Sequence, residues 1–73
     1  MKLYLLERGA LSLVLANKKP AKALGEIWGK AAYTRLSVLK FTPTRDTLTA
    51  LCNRVYVGPG IVAEELDHWP KEG

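Results

Sequence analysis

A chain of 73 residues, 48% of them hydrophobic and without a low-complexity tract, has room for one folded domain with a modest core. Its lone cysteine, Cys52, excludes an internal disulfide, so the expected setting is a reducing, cytoplasmic one. The net charge of +4 is unevenly spread. Residues 1–60 carry ten Lys/Arg against Glu7, Glu26 and Asp46, a net of +7, whereas residues 61–73 carry four carboxylates against Lys71, a net of −3. A body this basic attracts polyanions, and nucleic acid is the commonest in a cell.

The first apolar runs, residues 3–6 and 10–16, are separated by Glu7, Arg8 and Gly9. Each is too short for a bilayer span, which needs about 20 apolar residues, and the interruption disfavours a signal peptide. They read as a hairpin turning at Arg8-Gly9, with Leu11, Leu13 and Leu15 on one face of the second strand. A helix over 10–16 is the competitor, because Ala and Leu favour helices.

Asn17 and Pro20 mark the start of a helix whose inward stripe is expected to be Leu24, Ile27, Trp28 and Ala31. Gly25 and Gly29 weaken that helix by about 1 kcal/mol each relative to Ala, and admit close approach by the protein's own sheet. Residues 33–41 are rich in β-branched and aromatic side chains and read as a third strand. Thr42-Pro43 then predicts a second helix start, with Asp46 in its first turn and Leu48, Leu51, Cys52 and Val55 as its buried stripe.

Residues 54–57 suggest a short closing strand, and Gly58-Pro59-Gly60 breaks whatever precedes it. Beyond the break, Val62, Leu66 and Trp69 share one face of a short helical turn. The expectation is therefore an α+β fold. A small antiparallel sheet, made of the N-terminal hairpin and a third strand, carries two amphipathic helices. Residues 1–57 form the basic binding domain, and residues 58–73 form a hinge with a loosely docked acidic tail.

Residues able to perform chemistry are few. The one histidine, His68, lies among carboxylates; Ser12 and Ser37 lack a nucleophile's surroundings; Cys52 lies on the expected apolar stripe. One Cys and one His far apart do not make a zinc site, and Gly25-x-x-x-Gly29-Lys30 lacks the spacing of a phosphate loop. Neither enzyme activity, cofactor, metal nor small-molecule substrate is expected.

Binding is better supplied. Lys18, Lys19 and Lys22 cluster where the dipole of the first helix is already positive, with Lys30 further along. Arg35 and Lys40 come from the third strand and Arg45 from the second helix, completing a candidate surface for nucleic acid or a nucleoprotein. Trp28 reads as core, while Tyr4, Tyr33 and Phe41 serve either packing or base stacking. Trp69, past the break, reads as the exposed anchor for a protein partner.

Two resemblances bear on function. TRDTLTALCNRVYVGPG, residues 44–60, resembles the helix-to-wing passage of small phage excisionases, basic winged-helix DNA-bending proteins, over about a quarter of the chain. Thr47, Thr49 and Asn53 stand where that family places arginines for the major groove. The whole chain, from MKLYLLERG through the acidic end, is similar to the small RNA-polymerase-binding transcription regulators of Xanthomonas bacteriophages in length, opening residues and layout. That likeness implies docking on the polymerase β′ N-terminal region near the RNA exit channel in the host cytoplasm. It also implies displacement of sigma at initiation and, with NusA, readthrough of intrinsic terminators. It assigns no individual contact residues.

Overall fold

Gly9 turns the chain first. Its φ of 58° is followed by an ordinary negative φ at Ala10, the pattern of the two-residue turns whose twist suits a hairpin. The turn sets Arg8 opposite Leu11 and Tyr4 opposite Leu15, pairing β1 (Lys2–Arg8) with β2 (Leu11–Leu15). Residues 1–71 are described by the structure, a computed structural model.

Extended backbone at Asn17 then starts α1 (Lys18–Gly29). The helix crosses the sheet and delivers β3 (Thr34–Phe41) to the free side of β1, antiparallel to it. After α2 (Arg45–Cys52), β4 (Ile61–Trp69) runs antiparallel along β3. The sheet order is β2-β1-β3-β4. The α+β architecture with an antiparallel sheet and two helices is as expected, with one strand more.

Neighbouring residues of a strand point to opposite faces, so Leu5 and Leu6 seed two cores. Leu6 and Leu36, both fully buried, pack with Ala21 and Trp69 under α1. Leu5, Leu39, Phe41 and Ile61 form the other core, covered by Ala50 and Leu51 of α2 and by Tyr56. Each buried leucine stabilises the fold by about 1.5–3 kcal/mol. Because α1 sits over Thr34–Leu36 of β3 and α2 over Leu39–Phe41, the helices cover opposite ends of opposite faces. Each face keeps an open depression beyond its helix.

The acidic segment corrects the expected boundary at residue 58. Residues 61–69 are a full strand, not a loosely docked tail, and both ends are buried: Ile61 at 3% and Trp69 at 6% exposure. Gly58-Pro59-Gly60 is the turn that feeds this strand, with Gly60 at φ 81° and the Ile61 N–H donating to the Gly58 carbonyl at 3.0 Å. A register shift at Leu36/Ser37 explains the helical appearance of the sequence. Ser37 pairs with Glu65 but Leu36 pairs with Asp67, leaving Leu66 as an extra residue. That bulge exchanges the faces, so Ile61 enters the α2 core and Trp69 the α1 core.

Other boundaries shift for local reasons. The second helix is capped at Thr44, not Thr42, because the side chains and backbone N–H groups of Thr44 and Thr47 bond reciprocally. The Thr47 hydroxyl also donates to the Thr42 carbonyl at 2.8 Å, which draws Thr47 inward. The buried face of α2 becomes Thr47, Ala50 and Leu51, while Leu48, Val55 and Cys52 are exposed. Residues 54–57 form no strand. Arg54 takes a left-handed φ of 59°, its N–H donating to Leu51 and that of Val55 to Ala50, which closes the helix end. In α1, Ala21, Gly25 and Gly29 are the buried positions, and Ile27 is 64% exposed.

Candidate functional site

Two lysines face each other where a sheet ordinarily avoids it. Lys2 of β1 is directly opposite Lys40 of β3, and like charges so placed are destabilising. Two residues along, Tyr4 is opposite Val38, so the four side chains share one face. Lys18, from the first turn of α1, and Glu64 and Leu66 of β4 complete a shallow groove of about 160 Å³ on the half-face that α1 leaves open. The first turn of α1 holds no acidic residue, so its positive end adds to the field of the lysines.

One carboxylate moderates this cluster. Glu64 accepts a hydrogen bond from the Lys40 ammonium at 2.9 Å, which holds its carboxyl below the usual glutamate range, helped by the charge on Lys40 and then on Lys2. The groove thus presents three ammonium groups to one carboxylate around the half-buried ring of Tyr4. Such an arrangement suits a phosphate chain whose bases find an aromatic surface.

Of the seven basic residues singled out by sequence, this groove unites Lys18 and Lys40. Lys19 is exposed beside Lys18, and Lys22, a turn further, lies 3.8 Å from Asp67. Lys30 follows α1 at its far end and Arg45 opens α2. Arg35 points to the opposite face, bound to Glu7 at 3.1 Å, a hydrogen bond that raises its already high pKa. The seven therefore do not form one surface. Strand alternation and the placement of α1 and α2 on opposite faces separate them, while Glu64 and Asp67 of the acidic segment, folded back as β4, engage Lys40, Lys22 and Lys71.

Two residues escaped the sequence reading. Lys2 was readable from strand alternation, which places it with Tyr4, but its partner Lys40 depends on the β1–β3 register. Arg8 was not foreseen; its guanidinium lies 5.3 Å from the ring centroid of Trp28 and extends positive charge along α1. Trp69 is the converse case, expected as an exposed anchor but buried under α1.

Among the described residues no group of three or more His, Cys, Asp or Glu is placed to hold a metal ion, and no helix is long and apolar enough to cross a membrane. No family model, no curated protein and no solved structure matches this chain.

Proposed function

We propose that this protein is a phage-type transcription regulator that binds the host bacterial RNA polymerase at the β′ N-terminal region, beside the exit path of the transcript. In this role it inhibits initiation by displacing sigma and promotes readthrough of terminators with NusA, in the host cytoplasm. The likeness in length and opening sequence supports the choice of partner. The observation that carries the reading is the Lys2–Lys40 apposition closed by Lys18: a local rule of sheet pairing is broken where a polyanion would repair it. A transcript leaving a protein surface offers that polyanion.

The excisionase-like alternative is less well supported. The helix pair of a winged helix packs together on one side of its sheet, whereas α1 and α2 here cover opposite faces. The eight residues of α2 also carry only one basic side chain, Arg45, at the first position.

The test uses the full chain immobilised and presented with purified bacterial RNA polymerase, as core enzyme and as sigma holoenzyme, after nuclease treatment. Retention of core with loss of sigma, and increased readthrough at an intrinsic terminator when NusA is present, are the expected results. Binding to duplex DNA alone, with neither polymerase form retained, overturns the reading.

A further inference from the structure

A second concavity lies on the other face of the sheet, away from the lysine groove. It is an open cleft of about 490 Å³, beyond the end of the face that α2 covers. Its floor is low because the strands place Ser37 and Ala63 there beside Leu5. One side carries Glu7, Arg35 and Glu65, and the opposite rim is Tyr56 and Val57 of the loop after α2.

The charges on this cleft run against those of the chain. Arg35 is already engaged by Glu7 at 3.1 Å, so that pair is internally balanced. Glu65 has no salt-bridge partner among the described residues. The cleft therefore holds two carboxylates, Glu7 and Glu65, against the one guanidinium of Arg35, a net negative charge on a protein of net charge +4. Opposite it, Val57 is 68% exposed, a large apolar side chain held out on the rim. A carboxylate facing an exposed valine across a floor of Ser37, Ala63 and Leu5 does not suit a phosphate. It suits a long cationic side chain, whose stem lies against the valine while its head reaches the carboxylate.

We propose that this cleft docks an arginine or lysine side chain, flanked by an apolar neighbour, from a segment of a protein partner. Its volume exceeds a guanidinium group several-fold, so the neighbouring side chain is part of what fills it. Glu65 supplies the charge-assisted hydrogen bond, the Ser37 hydroxyl a second polar contact at the floor, and Val57 with Tyr56 the apolar contact. This deepens the reading above by giving its protein partner a contact point, and it holds whether or not that partner is a polymerase.

The probe is the blocked dipeptide acetyl-Leu-Arg-amide, titrated into the ¹⁵N-labelled full chain, with acetyl-Leu-Glu-amide as its comparison. Saturable amide shifts at Ser37, Val57, Ala63 and Glu65 with the arginine probe are expected, with binding about fivefold weaker in E65Q. The acidic probe is expected to leave these signals in place. Equal binding of both probes, no saturable shift at millimolar probe, or an unchanged affinity in E65Q each overturns the proposal. Polymerase retained equally by wild type and E65Q, with no probe binding, removes this cleft and leaves the regulator reading standing. Probe binding without polymerase retention does the reverse.

Discussion

Trp69 occupies the notch that Gly29 leaves on α1. A methyl group added at Gly29 would land on the Trp69 side chain close to its backbone, and one at Gly25 would land on the far edge of the same ring. Gly→Ala in a helix ordinarily gains about 1 kcal/mol, whereas overpacking a core costs about 1–3 kcal/mol and more where backbone must move. Gly29→Ala is therefore expected to destabilise by about 2 kcal/mol net, and Gly25→Ala by less, because the ring edge can shift. Urea unfolding of both variants checks the sign and the order; a stabilised Gly29→Ala would contradict this packing.

Deleting residues 61–73 is expected to unfold the chain. The deletion removes Trp69 and Ile61 from the two cores and exposes the hydrogen-bonding edge of β3. Loss of one large buried side chain already costs about 3–5 kcal/mol, against a total of about 5–15 kcal/mol for a domain. Circular dichroism and amide dispersion of the 1–60 fragment give the answer, and a dispersed native spectrum would be the contrary result.

Arg54 is strained in a place where glycine is usual. Its φ of 59° closes α2 through the bonds to Leu51 and Ala50, and the left-handed region costs a non-glycine residue about 1–2 kcal/mol. Arg54→Gly relieves this at the cost of a more flexible unfolded chain, so a net gain of about 0.5–1 kcal/mol is expected from thermal or urea unfolding.

The Lys40–Glu64 pair predicts a direction with pH. Glu64 is held below the usual carboxylate range by the hydrogen bond from Lys40, so its folded pKa lies below its unfolded one. What the pair contributes is present above the unfolded pKa and lost as pH falls through the folded pKa. The effect on an exposed pair is small, but the titration itself is visible: the Glu64 side-chain carbon should titrate below the glutamate norm by NMR. Lys40→Met should return it upward.

Lys2, Lys18 and Lys40 are expected to act together on single-stranded RNA. Each phosphate contact on a single strand contributes about −0.7 to the slope of log affinity against log salt. Replacing all three with glutamine should therefore flatten the slope by about 2, and relieving the Lys2–Lys40 repulsion should leave the fold intact. Fluorescence anisotropy with a short oligouridylate at several salt concentrations measures it; an unchanged slope would remove the groove as an RNA contact.

Sequence spacing located the hairpin, both helices and the third strand because each rests on local rules: a glycine turn, a proline near the helix start, a period of two. The positions lost were those decided across the sheet. The spacing of Val62, Leu66 and Trp69 imitates a helix because the bulge at Leu66 exchanges faces mid-strand, and a bulge answers to the partner strand. The inward face of α2 is set by a Thr44–Thr47 hydrogen-bond exchange that outweighs the apolar spacing of Leu48 and Val55. Lys18 and Lys40 could be picked as basic residues, but their common groove exists only once β1 and β3 pair. The expectation drawn for Gly25 and Gly29, close approach by the protein's own sheet, is met by Trp69 of β4.

The two edges of the sheet are unequal. β4 carries Glu64, Glu65 and Asp67, while β2 is Leu-Ser-Leu-Val-Leu, with Leu11, Leu13 and Val14 all more than a third exposed and no charge among its five residues. Charged side chains on an edge strand discourage pairing with another copy, and β2 has none. Fibre growth by edge pairing consumes two open edges per molecule, so a chain with one guarded edge ends a ladder where it joins it. The consequence is a ceiling: were two copies to pair through β2, the pair would close on a two-fold axis and go no further.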